Sequence, residues 1–149
     1  MTGTVDRQVE LTLPMVEDIE LAVIKTAADL AHSLGMASDQ IDEVSHAIIE
    51  ACINAREHAS CDDDRIYLRF LGGQAKDGRV KLEVWISDRG VGFDPKSVKR
   101  SDPKSTAGPQ KRGWGLQIMQ AHVDDLEIDS GPNGTTIHMV KYGGKRRDD

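Results

Sequence analysis

Polar residues recur at a four-residue spacing in one long helical segment of the sequence. In EACINAREHA, residues 50–59, the side chains of Glu50, Asn54 and His58 are each four positions apart, so they project from one side of an α-helix. A carboxylate one turn from a carboxamide offers a general base beside an oxygen ligand that suits Mg²⁺. The same spacing is also typical of a solvent-facing polar stripe on an amphipathic helix.

A second candidate segment is WISDRGVGFDP, residues 85–95. Asp88 stands where an alternating strand pattern ends, and a partly buried carboxylate there can accept a hydrogen bond from an amine such as the exocyclic amino group of adenine. Gly90 and Gly92 lack a Cβ atom, so a flat ring can approach the backbone. An ordinary glycine turn is the alternative interpretation.

The third candidate segment is KRGWGLQIM, residues 111–119. Gly113 and Gly115 stand at the entrance to a predicted helix, where free N–H groups and the helix dipole favour phosphate. Lys111 and Arg112 add positive charge. They end a stretch at about 93–112 that has three prolines and six basic residues against two acidic ones. A loop of this length is predicted to be a functional lid or a solvated basic loop.

The hydrophobic periodicity predicts the elements that position these segments. It indicates three helices, at about 16–34, 38–58 and 114–123. It indicates strands at about 9–13, 66–70, 80–86, 126–130 and 135–142, with a frayed tail at about 143–149. Consecutive hairpins favour a mixed, mostly antiparallel sheet with the helices on one face. The predicted fold class is therefore a two-layer α/β sandwich.

Composition limits the classes of function. A chain of 149 residues with 38% hydrophobic and 30% charged residues predicts a single domain, residues 1–149. The net charge of −6 argues against general nucleic-acid binding. No apolar run approaches a membrane span, and no signal peptide is visible. Cys52 and Cys61 fit structural thiols in a reducing compartment, so we expect a cytoplasmic protein without membrane attachment.

The order of these motifs resembles a known nucleotide site. E-x-x-x-N-x-x-x-H, D-x-G-x-G, a lid, G-x-G-L and G-T follow one another along the chain, as in the GHKL ATPases with their Bergerat fold. Within that superfamily, the short chain and EACINAREHA most resemble the anti-sigma factor serine/threonine kinases of the RsbW/SpoIIAB type. The resemblance extends from about residue 8 to 142.

The resemblance implies roles for individual residues. Glu50 matches the general base that activates the attacking hydroxyl, and Asn54 matches the Mg²⁺ ligand. Asp88 matches the carboxylate that reads the adenine amino group, while Gly90 and Gly92 match the glycines beneath the purine.

Further positions match the phosphate side of the family's site. Gly113, Gly115 and Leu116 match the hinge of the phosphate-binding lid, and His58 completes the helix motif. Thr135 matches the threonine that supports the adenine-binding aspartate, often through water. Either Lys111 or Arg112 is expected to reach the γ-phosphate. The proline-rich lid departs most from the family pattern.

The implied activity is phosphoryl transfer from ATP·Mg²⁺ to a serine or threonine of a STAS-domain antagonist, by a kinase that also binds a sigma factor. The resemblance also implies a homodimer as a candidate assembly, because members of the family commonly dimerise. Two alternatives stay open at this point. One is a nucleotide-gated binding module without catalysis. The other is a switch kinase that phosphorylates STAS proteins without binding a sigma factor.

Overall fold

The structure, a computed structural model, describes residues 7–58, 64–90 and 112–145. Several predictions lie outside these residues: the lid at about 93–112 except for Arg112, the residues Gly92, Lys111 and Cys61, and the end of the C-terminal tail.

Three helices and five strands follow one another in the predicted order. They are β1 (Arg7–Pro14), α1 (Ile19–Ser33), α2 (Ser38–His58), β2 (Arg65–Gln74), β3 (Arg79–Asp88), α3 (Arg112–His122), β4 (Asp125–Gly131) and β5 (Gly134–Lys145). The strands form one sheet in the order β1-β2-β3-β5-β4. All four strand pairings are antiparallel.

Strand alternation separates the two faces of the sheet. Along β3, Val80, Leu82, Val84 and Ile86 are buried, whereas the residues between them are partly exposed. These buried residues join apolar side chains of α1, α2, α3, β2 and β5 in one core. Helices therefore cover one face, and the predicted two-layer α/β sandwich is confirmed.

A glycine turn sets the path from α1 into α2. Gly35 has a φ of +85°, a conformation that glycine adopts without strain. Its N–H donates to the His32 carbonyl at 3.0 Å, and the Met36 N–H donates to the Ala31 carbonyl at 3.1 Å. Farther along, Arg56 of α2 donates to the Glu20 carboxylate of α1 at 2.8 Å, so the two helices are also joined by an ion pair.

The direction of α2 across the sheet follows from contacts at its first turn. A Cβ atom placed on Gly143 would lie 3.3 Å from Val80 Cβ and 3.4 Å from Gln40 Oε1. The start of α2 therefore lies over the start of β3 and the end of β5. From there α2 runs towards the other end of β3, at Asp88.

Several element boundaries differ from the predicted ones. Helix α1 begins at Ile19 rather than at about 16, and β2 continues to Gln74 rather than ending at about 70. The third helix begins at Arg112 rather than at about 114, so its first turn contains both glycines despite their low helix propensity. Strand β5 continues to Lys145 rather than ending near Tyr142. Lys145 pairs with Arg79 beyond an irregularity in register, so backbone pairing holds this part of the predicted tail in the sheet.

Among the described residues, no helix is both long enough and apolar enough to cross a membrane.

Candidate functional site

The end of β3 places a carboxylate under the helices. Asp88 continues the buried alternation of β3, so its side chain lies on the helix-covered face and the residue is only 8% exposed. Its Oδ1 atom accepts a hydrogen bond from the Gly90 N–H at 2.9 Å. This bond closes a tight turn that fixes the carboxylate at the end of β3.

Thr135 faces Asp88 across the sheet. The two residues are paired in the register of β3 and β5, and Thr135 is buried at 4% exposure. The hydroxyl of Thr135 lies 2.7 Å from the Ser130 hydroxyl of β4. The structure thus brings the two predicted residues together, and it adds Ser130 as a hydroxyl that orients Thr135.

Gly134 is a site residue that the sequence-based list of candidates omits. A Cβ atom at this position would lie 2.1 Å from the Asp88 carbonyl oxygen and 3.0 Å from the Arg89 Cα atom. Its φ of +134° is also unfavourable for residues with a side chain. The sequence signal in NGTT is weak, because a glycine at the start of a strand can mark close backbone approach but does not identify the neighbouring backbone.

Asn54 of α2 is buried at 7% exposure, so it does not belong to a solvent-facing stripe. Within residues 7–58, 64–90 and 112–145, no hydrogen bond to its carboxamide is found. A buried amide without a partner costs about 1–3 kcal/mol, and such groups call for a functional explanation. An amide oxygen held in this way fits a ligand for a hard cation such as Mg²⁺.

Glu50 lies one turn before Asn54 and against the first turn of α3. A Cβ atom on Gly115 would stand 3.2 Å from Glu50 Oε1, so the absence of a side chain there makes room for the carboxylate. In the described part of the chain, Glu50 forms neither an ion pair nor a hydrogen bond. It is partly exposed, as a proton acceptor for an incoming group must be.

The first turn of α3 is the predicted phosphate-binding segment. Arg112 and Gly113 open the helix, Gly115 is buried, and Leu116 packs against the core. The first N–H groups of a helix have no partner within it and carry partial positive charge. These N–H groups would therefore stabilise an anion near Gly115, next to the Glu50 carboxylate.

The two helices of the site run antiparallel. Gly115 at the start of α3 lies beside Glu50, while the rings of His122 and His46, nearer the start of α2, are 5.4 Å apart. The phosphate-binding turn of α3 is therefore placed by its packing on α2.

Helix and strand dimensions indicate how far along the sheet Asn54 lies relative to Asp88. From Gln40 to Asn54, α2 rises about 21 Å. From Val80 to Asp88, β3 extends about 26 Å. Because Gln40 lies over the start of β3, these lengths favour a position of Asn54 near the end of β3 that bears Asp88.

Other predicted residues are only partly described. His58 ends α2, but its side chain, like that of Arg112, lies outside the described part.

Cys52 is 1% exposed in the core. Burial, with a smaller contribution from the Glu20 carboxylate, raises the pKa of the Cys52 thiol to about 12. The thiol is therefore neutral and unreactive, as expected of a structural cysteine.

Comparison with known proteins gives the same assignment along nearly the whole chain. Residues 14–141 match the family model of the histidine kinase-like ATPase domain. The chain is 31% identical to the serine-protein kinase RsbW of Bacillus cereus over 91% of this chain and 84% of the relative. It is 30% identical to the serine-protein kinase RsbW of Bacillus pumilus over 100% of this chain and 93% of the relative.

A solved structure shows the same fold. The RsbU and RsbW domains of a Mycobacterium tuberculosis protein align with a TM-score of 0.66 at 22% identity, covering 95% of this chain and 33% of that one. The family resemblance predicted from the motifs is confirmed. The chain belongs to the histidine kinase-like ATPase domain family, and within it to the group of the serine-protein kinases RsbW.

Proposed function

We propose that this chain is an ATP-dependent protein serine/threonine kinase that acts as an anti-sigma factor, binding a sigma factor and phosphorylating a STAS-domain antagonist. One observation is the main support for this proposal. The buried Asn54 carboxamide has no partner in the described part, and it stands one turn from Glu50, which lies against the first turn of α3. This arrangement suits a bound phosphate and cation beside a general base.

We assign adenine recognition to the strand side of the site, which is formed by Asp88, Gly90 and Thr135. The Asp88 carboxylate is buried and held in place by the Gly90 N–H, and in this proposal it accepts a hydrogen bond from the adenine amino group. Thr135, oriented by Ser130, supports this position. Gly90, and by prediction Gly92, leave space for the flat base.

The Asn54 amide oxygen is the proposed protein ligand for Mg²⁺. Bound Mg²⁺ offsets the negative charge of the triphosphate and of the transferring phosphoryl group. The fit rests on Asn54 being a buried, neutral oxygen donor with no competing hydrogen bond in the described residues.

Glu50 is the proposed catalytic base. Its carboxylate accepts the proton of the acceptor hydroxyl and aligns that oxygen for attack. The first-turn amides of α3, together with Lys111 or Arg112, stabilise the negative charge on the phosphoryl oxygens. His58 belongs to the same polar side of α2 in this proposal.

The partners follow from the family. The relatives in Bacillus are named serine-protein kinases, which supports a serine acceptor on a protein. The sigma factor, the STAS-domain antagonist, a possible homodimer and a cytoplasmic setting belong to the same proposal, and they follow from the resemblance rather than from any described surface.

Incubation with labelled ATP·Mg²⁺ and purified STAS-domain proteins of the same genome tests the proposal. We expect one STAS protein to become phosphorylated on serine or threonine, and a sigma factor to be captured in the absence of that protein. Nucleotide binding without transfer to any partner would instead indicate a nucleotide-gated binding module. Transfer without capture of any sigma factor would indicate a switch kinase.

A further inference from the structure

A lysine is buried on the helix-covered face, away from the predicted site residues. Lys141 of β5 is 7% exposed, which is unusual because an ammonium group is rarely buried without partners. Its Nζ atom donates to the His122 carbonyl oxygen at 2.8 Å and lies 3.5 Å from Glu43 Oε1. The lysine therefore connects β5 to both α3 and α2.

The contact falls at the C-terminal end of α3. His122 is the last residue of that helix, where carbonyl groups lack helical partners and carry partial negative charge. The ammonium group of Lys141 satisfies one of these carbonyls. The His122 ring is also fixed, since Nδ1 lies 2.7 Å from the Ile118 carbonyl and the ring stacks at a tilt on His46.

Helix α3 connects this anchored end to the phosphate-binding turn. Gly115 and His122 are seven residues apart, about 10 Å along the axis. Among the described elements, α3 packs mainly on α2 and contacts the sheet little. Lys141 is thus a strong polar link from the sheet to α3, and a shift at His122 moves the opposite end relative to Glu50.

We propose that Lys141 is a positioning residue, whose ammonium group holds the C-terminal end of α3 and thereby sets how the first turn of α3 meets Glu50 and the phosphates. The inference rests on the proposed function, because it states that the contact between Lys141 and His122 affects nucleotide binding. It adds a residue outside the nucleotide motifs to the determinants of ATP affinity.

The test compares ATP·Mg²⁺ affinity by calorimetry with hydrogen exchange of the α3 amides. Lys141→Met keeps the length of the side chain but removes the charge. We expect it to bind ATP·Mg²⁺ about tenfold more weakly, in the usual range of coupling between sites, and to exchange the amides near Gly115 faster. Lys141→Arg restores a cationic donor and should bind ATP within about threefold of the wild type.

Arg56→Met is the matched control. It removes the same charge from an ion pair that joins α2 to α1 and not to α3. It should lower the melting temperature but leave ATP affinity within about twofold of the wild type, as expected for independent sites. All titrations are made well below the lowest melting temperature, so that loss of folded protein does not imitate loss of affinity.

Each outcome decides the inference. Wild-type ATP affinity in Lys141→Met, with only a lower melting temperature, would mean that Lys141 is merely structural. Equal loss of affinity in Arg56→Met would mean general destabilisation. If Lys141→Met does not fold, the same measurements are made on Glu43→Gln, which removes an exposed partner of the ammonium group. Unchanged ATP affinity and unchanged exchange of the α3 amides in Glu43→Gln would overturn the inference. A wild-type protein that binds no ATP would overturn the proposed function itself.

Discussion

The strand side and the helix side of the site are built in opposite ways. On the strand side, Asp88 and Thr135 are buried and already hydrogen-bonded, to Gly90 and Ser130 respectively. On the helix side, Asn54 and Glu50 have no hydrogen bonds within the described residues. Rigid ends of paired strands suit recognition of an invariant base, whereas unpaired polar groups on helices can bind a cation and a reacting hydroxyl.

This difference predicts two kinds of variant. Changes on the helix side should alter turnover while the fold persists, because those side chains contribute few internal bonds. Changes on the strand side should lower the free energy of unfolding and the nucleotide affinity together, because the same contacts serve both.

The largest effect is expected for Glu50→Ala. Loss of the general base should lower phosphoryl transfer by about 10²- to 10⁴-fold, while ATP affinity and melting temperature change little. Rates of transfer to the STAS partner and titration with ATP·Mg²⁺ measure the two effects. Asp42→Ala, which removes an exposed carboxylate from the same helix, is the control. Equal transfer by the wild type and Glu50→Ala would exclude Glu50 as the base.

Gly134→Ala should disrupt the strand side. The added Cβ would overlap the Asp88 carbonyl, so we expect a loss of about 2 kcal/mol or more in the free energy of unfolding together with weaker ATP binding. Urea unfolding and calorimetry check both quantities. Gly131→Ala changes the same hairpin where a Cβ meets nothing within 4 Å, and it should be close to neutral. Similar results for the two variants would show that close packing behind Asp88 is unimportant.

Gly115→Ala should separate stability from activity on the helix side. Alanine favours a helix by up to about 1 kcal/mol over glycine, but its Cβ would lie 3.2 Å from Glu50 Oε1. We expect unchanged or higher stability with transfer about tenfold slower, because the base is displaced. In a Glu50→Ala background the same change should have no further effect on transfer. A full additional loss there would place the action of Gly115 elsewhere.

The smallest effect concerns Cys52, whose side chain lies on the core side of α2. Burial raises the pKa of the Cys52 thiol from its ordinary value of 9.0 to about 12. The neutral thiol therefore stabilises the fold fully below pH 9, and this contribution is lost as the pH rises from 9 to 12. In a Cys61→Ser background, iodoacetamide should react slowly with the native protein and readily in urea. Native alkylation at the rate of a free thiol would contradict the burial.

Much of this arrangement follows from periodicity. Alternation along β3 predicted that Asp88 ends a buried strand, and the helical spacing predicted that Glu50 and Asn54 share a side of α2. The class of fold followed from the order of hairpins and helices, since each pattern is local in the sequence.

Tertiary contacts explain what could not be predicted. Alone, the four-residue spacing could not distinguish a buried Asn54 from a solvated one, because its burial depends on the elements that pack around α2. Lys141 is a charged residue in an otherwise ordinary strand, and only the position of the α3 terminus reveals why it is buried. The role of Gly134 could be recognised only from how closely β5 approaches the end of β3.

Calorimetric titration of ATP·Mg²⁺ into the wild type and Asp88→Asn tests most directly whether the two sides form one nucleotide site. We predict saturable binding by the wild type and at least about tenfold weaker binding by Asp88→Asn, with the fold retained by circular dichroism. No binding to the folded wild type, or equal affinity in the two proteins, would contradict the assignment of Asp88 and its strand-side neighbours to the nucleotide.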